Sequence, residues 1–291
     1  MLKLVLPKGS LEQATLQLFE DANLRVSRSS DVAYKATIAD ERVADVRILR
    51  PQEIPRYVAD GLFDIGITGR DWIEETSSDV VTLGELEYSK ATDLPVKVVL
   101  AVDGASNITE ASQLAGGVRV STEYPELTRR YFEKLGIEAE IILSYGATEA
   151  KVPDIVDVAV DITETGRALR AAGLRIIDTL LISRTELIAN PTSAADADKR
   201  RAMEQLQRLL VGVLTARGKV LLKMNVDAQA LNLIMEMLPA EKVPTVNELY
   251  QGAGYAIESV VPRNELNVII PKLRDLGATD IVEIPISKII P

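Results

Sequence analysis

The chain contains no cysteine and no histidine. Without cysteine there is no disulfide framework and no thiolate nucleophile, and without histidine a Ser-His-Asp relay and the usual zinc sites are excluded. Any metal must be a hard cation on oxygen ligands, Mg²⁺ first among them, carried mostly by the phosphates of a ligand. Long apolar runs are missing too: no segment approaches 18 uninterrupted apolar residues, so nothing spans a membrane as a helix. The opening MLKLVLPKGS lacks the length and cleavage site of a signal peptide, and the expected location is cytoplasmic. Positive charge is in short supply, with 33 Lys and Arg against 43 Asp and Glu and a net charge of −10. That balance disfavours nucleic acid and anionic lipid as partners, so a phosphate ligand must be met by a local cluster of donors. Asn107-Ile108-Thr109 matches a glycosylation sequon only by chance in this setting.

What remains is a balance suited to a globular enzyme: 291 residues, 47% apolar and 26% charged, enough for two or three domains. LKLVL (2–6) reads as a strand, and Pro7-Lys8-Gly9-Ser10 turns into a helix with Ser10 as its N-cap. ADVRILR (44–50) and FDIGITG (63–69) are further strands with a helix between them. The alternation predicts a parallel sheet covered on both faces. It restarts at LPVKVVLAV (94–102), followed by strands at 116–122, 138–144 and 157–162 and a helix from Pro125 to Leu135. Residues 175–190 read as a pair of strands returning to the first lobe. The expectation is two lobes joined by two crossings, with residues 1–90 and 180–212 in lobe I and 91–179 in lobe II. A long helix over 196–218 leads to βαββαβ in 219–291, the split βαβ, ferredoxin-like order.

VAVDITETGRAL (158–169) carries the sharpest chemical signal. A buried strand ends on Asp161 and breaks into Thr163-Glu164-Thr165-Gly166-Arg167 at a helix start, where unpaired N–H groups and two hydroxyls suit a phosphate monoester. The plainer reading is an ordinary capped helix. Asp161 and Asp157 suit sugar hydroxyls or a metal's outer-shell water. In GLFDIGITGRDW (61–72), Gly69 permits a tight turn, and Arg70 either meets a phosphate or pairs with Asp71. Lys8 follows the first strand, the usual ligand-binding end of an α/β sheet. Glu123 and Tyr124 sit between a strand and a helix, Tyr124 being either a base-stacking residue or part of the core. YGATEAKVPD (145–154) offers Glu149 and Lys151.

LPKGSL, LRPQEIPRYV, DIGITGRDW, VSTEYPELTRRYF, DITETGRAL and the βαββαβ tail occur in an order and spacing that resembles the long-form ATP phosphoribosyltransferases over the whole chain. Ala168 stands where the family pattern has a threonine, and the stretch between Glu149 and Asp157 is a residue short. The resemblance implies a two-lobed, periplasmic-binding-protein-like α/β unit with a C-terminal ferredoxin-like (ACT-like) domain over 213–291. It implies ATP and 5-phosphoribosyl 1-pyrophosphate as substrates, Mg²⁺ without a dedicated protein site and reached by Asp161 through water, and histidine as inhibitor of a dimer or hexamer. By the same resemblance Asp161, Glu149 and Lys8 act at the reacting centre. Asp157, Asp161, Thr163, Glu164, Thr165, Gly166, Arg167 and Ala168 hold the ribosyl donor. Arg50, Gly69, Arg70, Asp71, Glu123 and Tyr124 hold ATP and pyrophosphate, and Asn225, Thr245 and Glu283 hold histidine. The competing expectations are a solute-binding receptor and an amino-acid sensor that has lost catalysis.

Overall fold

Val158, Ala159 and Val160 have hydrogen-bonded strands on both sides and are fully buried, which accounts for an uninterrupted apolar run. The same logic places the other apolar segments at the centres of sheets. The structure, a computed structural model, describes residues 1–89, 94–240 and 243–290. Two compact units divide it, Met1–Gln207 and the residues from Arg208 onward.

In chain order the first unit comprises β1 (Leu2–Pro7), α1 (Glu12–Asp21), β2 (Val26–Arg28), β3 (Lys35–Ile38), β4 (Val43–Leu49), α2 (Ile54–Ala59), β5 (Ile65–Gly69), α3 (Arg70–Thr76) and β6 (Val81–Leu86). It continues with β7 (Val96–Asp103), β8 (Val118–Thr122), α4 (Pro125–Leu135), β9 (Ala139–Leu143), β10 (Val158–Thr163), α5 (Arg167–Ala171), β11 (Leu174–Ser183), β12 (Thr185–Ala189), α6 (Pro191–Ala195) and α7 (Ala197–Ala216). A seven-stranded sheet has the order β2-β3-β4-β1-β5-β12-β6, and a five-stranded sheet the order β11-β7-β10-β8-β9.

Neither sheet is wholly parallel, which corrects the expectation. β4, β1 and β5 are parallel, but β12 runs antiparallel to β5 and β6, and β7 antiparallel to β10 and β11. A chain that leaves one sheet and returns from the other re-enters in the opposite sense. The return crossing lies at Arg184, later than residue 179, because β11 pairs with β7 as far as Ser183 opposite Val96. The outward crossing expected at residue 90 lies outside the described residues. The two compact units meet between Gln207 and Arg208, within α7 and five residues before the expected boundary after residue 212.

Three short strands have no counterpart in the sequence-based expectation. β2 has no buried residue, β3 buries only Ala36 and Ile38, and β6 only Leu86, so none is long enough to carry a strong apolar pattern. Ser10 is not the N-cap: α1 begins at Glu12, and the Glu12 carboxylate instead reaches back to accept from the Gly9 N–H at 3.2 Å.

The second unit comprises β13 (Lys219–Val226), α8 (Leu231–Met237), β14 (Thr245–Glu248), β15 (Tyr255–Pro262), α9 (Leu266–Asp275) and β16 (Thr279–Pro285). Its four strands take the order β14-β15-β13-β16, that of a ferredoxin-like split βαβ. Val220, Leu222, Met224 and Val226 alternate inward and pack with Ile234, Leu266 and Leu273 of the helices, leaving Lys223 and Asn225 on the other face. Among the described residues no helix is long and apolar enough to cross a membrane.

Candidate active site

β10 outruns its neighbour β8, whose last pairing is Thr122 with Val160, so the backbone from Asp161 onward projects beyond that edge. Asp161 is partly buried, and its Oδ1 accepts from the Ile162 N–H at 2.7 Å. Burial raises its pKa above the ordinary carboxylate range, and the charges of Glu149 and Glu123 push it further the same way. Glu149 and Glu123 thus make the potential at this strand end more negative, which suits hydroxyl donors or a hydrated cation. Replacing Glu123 by Gln should relieve part of that repulsion, so the acidic limb of the rate profile should move to lower pH. An unmoved limb would mean that Glu123 does not act on Asp161.

The loop beyond is closed on itself. Gly166 has φ +71°, and its N–H donates to Thr163 Oγ1 at 2.8 Å. The left-handed backbone conformation there favours glycine, and a Cβ would also displace the Arg170 guanidinium 2.7 Å away. Arg170 in turn donates to the Thr165 carbonyl at 2.7 Å, and Ser89 Oγ donates to Glu164 Oε1 at 2.9 Å. Thr165 and Arg167 remain exposed.

α3 follows the central strand β5 but reaches into the other lobe. Asp71, 2% exposed, accepts from Tyr124 Oη at 2.8 Å and from Ser183 Oγ at 2.6 Å. Burial holds the Asp71 pKa above its usual range despite these donors, and burial together with the Asp71 charge raises that of Tyr124. The Trp72 ring lies 4.5 Å from that of Tyr124 and joins the core of the five-stranded lobe. Glu75 accepts from the Glu126 and Leu127 N–H groups in the first turn of α4, at 3.1 and 2.8 Å. Arg130 of α4 donates to Ser77 Oγ at 2.6 Å and to the Glu74 carbonyl. The side chains of α3 thus bridge the lobes.

These contacts revise several expectations. Tyr124 is a core residue stacked on Trp72, so its ring is not an open base platform. Asp71 does not pair with Arg70; Arg70 binds Glu74 at 2.6 Å and lies 3.9 Å from Glu186. Gly69 is required because a Cβ there would lie 2.1 Å from Asp71 Oδ1. Asp157 precedes β10 at its far end, about 13 Å along the strand from Asp161, and is held by Arg119 at 2.8 Å. The pair do not share a site. Lys8 rests 4.0 Å from the centroid of the Tyr34 ring and, among the described residues, makes no ion pair. Arg50 is exposed just beyond β4. Glu75, Trp72 and Ser183 went unassigned in the sequence, although Asp71 and Glu75 at i and i+4 share a helix face.

A cavity of about 970 Å³ opens between the two sheets of the first unit. Gly69, Asp71, Glu123, Tyr124, Thr163, Glu164, Thr165, Arg167 and Ala168 line it, whereas Lys8, Arg50, Arg70, Glu149, Asp157, Asp161 and Gly166 do not. Trp72, Leu86, Tyr88 and Pro95 are among its apolar lining residues. Among the described residues no cluster of three acids is close enough to ligate a metal directly. The oxygen donors present would suit a hydrated divalent cation held mainly by ligand phosphates.

In the second unit, Asn225 Nδ2 donates to Asp280 Oδ2 at 3.0 Å, and Glu283 pairs with Arg263 at 3.1 Å. Thr245 lies on β14 and Glu283 on β16, at opposite edges of the sheet and roughly 14 Å apart by strand spacing. One chain does not bring these two residues together.

Fold and cleft define a two-lobed α/β unit with a ligand-sized cavity, followed by a small ferredoxin-like domain. The family model for ATP phosphoribosyltransferase matches residues 50–212, and that for the HisG C-terminal domain matches 216–288. An ATP phosphoribosyltransferase of Pelotomaculum thermopropionicum is 43% identical over 290 residues, covering 100% of this chain and 99% of the relative. One from Desulforudis audaxviator is 44% identical with the same coverage. The structure of an ATP phosphoribosyl transferase (HisG:HisZ) complex from Thermotoga maritima superposes with a TM-score of 0.62 at 28% identity, over 72% of this chain and 99% of that one. The chain belongs to the ATP phosphoribosyltransferase family, in the long form that carries the C-terminal domain. It is a transferase of histidine biosynthesis, and the receptor and sensor readings fall away.

Proposed function

We propose that the cleft joins ATP to 5-phosphoribosyl 1-pyrophosphate. The adenine N1 forms a bond to C1′ of the ribose while the C1′–O bond breaks and pyrophosphate leaves with the electron pair, giving N1-(5-phosphoribosyl)-ATP. The observation that carries the reading is the cavity between the lobes, walled by the Thr163–Ala168 loop on one side and Gly69 and Asp71 on the other, in a chain full-length similar to named transferases. The ribosyl transition state is oxocarbenium-like and calls for no protein nucleophile, which accords with a chain without cysteine or histidine.

In this reading the 5′-phosphate sits on the backbone and hydroxyls of Thr163 to Arg167, with Ala168 beside it, and Asp161 accepts from the ribose hydroxyls. Lys8, Arg50 and Arg70 meet the phosphates of ATP and the leaving pyrophosphate. Glu149 and Glu123 act on substrate hydroxyls or metal-bound water. The family's divalent metal is Mg²⁺ here, and when bound it neutralises the leaving pyrophosphate. The protein works in the cytoplasm as a dimer and hexamer, and histidine bound around Asn225 inhibits it, with Thr245 and Glu283 able to contribute together only from different copies.

The test is formation of phosphoribosyl-ATP, followed by ultraviolet absorbance, with both substrates and Mg²⁺, with and without histidine. A folded protein that makes no product would sink the reading. Thr165→Val removes one hydroxyl donor and should raise the Michaelis constant for the ribosyl donor about tenfold, corresponding to roughly 1.4 kcal/mol for a bond to a charged phosphate. An unchanged constant would remove Thr165 from the site. Deleting residues 219–291 should abolish inhibition by histidine, and a truncated protein still inhibited would show that histidine binds elsewhere.

A further inference from the structure

Gly212 stands in the interior of α7, within LLVGVLTA (209–216), where glycine is the least favourable residue apart from proline. The segment that follows β16 accounts for it. A Cβ at Gly212 would lie 2.3 Å from Ile290 Cδ1 and 3.3 Å from the Ile289 carbonyl oxygen, and the Ile289 N–H donates to the Gly212 carbonyl at 2.9 Å. The three atoms nearest to that Cβ position all belong to Ile289 and Ile290. β16 is an edge strand, and its last residue, Pro285, lies opposite Val220 at the start of β13, the strand that follows α7. Residues 286–290 then reach back to Gly212, about one turn before the end of α7. The other end of α7 belongs to the first unit, where Lys199 Nζ donates to Asp64 Oδ1 and Gln207 Nε2 to the Leu83 carbonyl, both at 2.7 Å.

We propose that residues 286–290 are a strap through which histidine bound to the small domain acts on α7, the Ile289–Gly212 contact being its point of attachment. The inference rests on the reading of the small domain as the histidine site, with Glu283 of β16 among its contacts. An effector changes a distant site only through different affinities for two arrangements of the protein, so some element must differ between them. The Arg217–Gly218 connection attaches β13 to the end of α7, and the strap attaches β16 about one turn earlier. With two attachments at different heights on one helix, a shift of β16 against β13 becomes a push or a pull on α7. Small helix displacements of this kind are a common form of allosteric transition. α7 carries the displacement because it is one continuous helix whose earlier turns hold Asp64 and Leu83 of the first unit.

The test measures phosphoribosyl-ATP formation and histidine binding side by side in the wild type and in two variants. One lacks every residue from Ile289 onward. The other, Gly212→Leu, keeps the strap and puts a side chain where it rests; leucine is a better helix former than glycine, so α7 itself is not weakened. At saturating histidine the wild type should lose about tenfold or more in turnover, and both variants less than about twofold. Without histidine both should turn over as the wild type does. Each should still bind histidine, read by equilibrium dialysis and by the rise in melting temperature with added ligand. Folded variants inhibited like the wild type overturn the inference. So do variants that no longer bind histidine, which would make the strap part of the binding site, and variants with lowered basal turnover, which would make it a support of catalysis. Wild-type protein that forms product but neither binds histidine nor is inhibited by it overturns the histidine reading of the small domain, and the strap's part in it.

Discussion

Replacing Asp161 with Asn should lower kcat/KM for the ribosyl donor by roughly 10²–10³-fold with little change in folding, the size expected when one preorganised electrostatic contact to the reacting centre is lost. In the proposed reading, Asp161 accepts from the ribose hydroxyls and places a negative charge near a sugar that becomes cationic in the transition state. An amide keeps the shape and loses the charge. Folding should not suffer, because the native environment already disfavours the ionised form: burial, Glu149 and Glu123 all raise its pKa. Its ionisation therefore costs stability once the pH exceeds the unfolded-state pKa, and the neutral amide removes that cost. Steady-state kinetics with both substrates and a melting curve check the two halves. Full activity in a folded Asp161→Asn protein would remove this residue from the mechanism.

Asp64→Ala should destabilise the first unit by about 3 kcal/mol, with a fall in melting temperature of roughly 6–12 °C. Asp64 is 7% exposed and accepts from the Lys3 N–H at 2.7 Å, Ser193 Oγ at 2.6 Å and Lys199 Nζ at 2.7 Å. One carboxylate thereby ties β1 to α6 and α7, and its loss strands several donors. Burial alone would raise its pKa, but these donors outweigh burial and bring it below the usual range. The stabilisation is thus fully present above the unfolded-state pKa and disappears as the pH falls through the lower folded-state value. The Ala variant should show a smaller loss of stability than the wild type over that acidic interval. Equal melting temperatures at neutral pH would show that water replaces the carboxylate without cost.

Much of the architecture is legible in the amino-acid sequence. Apolar runs such as VAVDI and FDIGITG announce buried strands because burial on both faces demands it, and Gly136 ends α4 in the left-handed conformation that only glycine adopts without strain. The βαββαβ order of the tail needs only the alternation of periods 2 and 3.6. The anion-suited loop after Asp161 is visible because a strand end, two threonines and a glycine at a helix start are a local pattern.

By itself, then, the sequence determined the fold class, the chemistry excluded by a chain without cysteine or histidine, and the loop from Asp161 to Arg167, since each depends on residues close together in the chain or on composition. Tertiary structure alone decided which side chains are already engaged. Tyr124 is taken by Trp72 and Asp71, and Asp157 by Arg119 at the wrong end of its strand. Hydrogen bonds and desolvation depend on neighbours that the chain brings together from 38 to more than 100 residues away, as Asp157 with Arg119 and Asp71 with Tyr124 and Ser183 show, and no local periodicity encodes them.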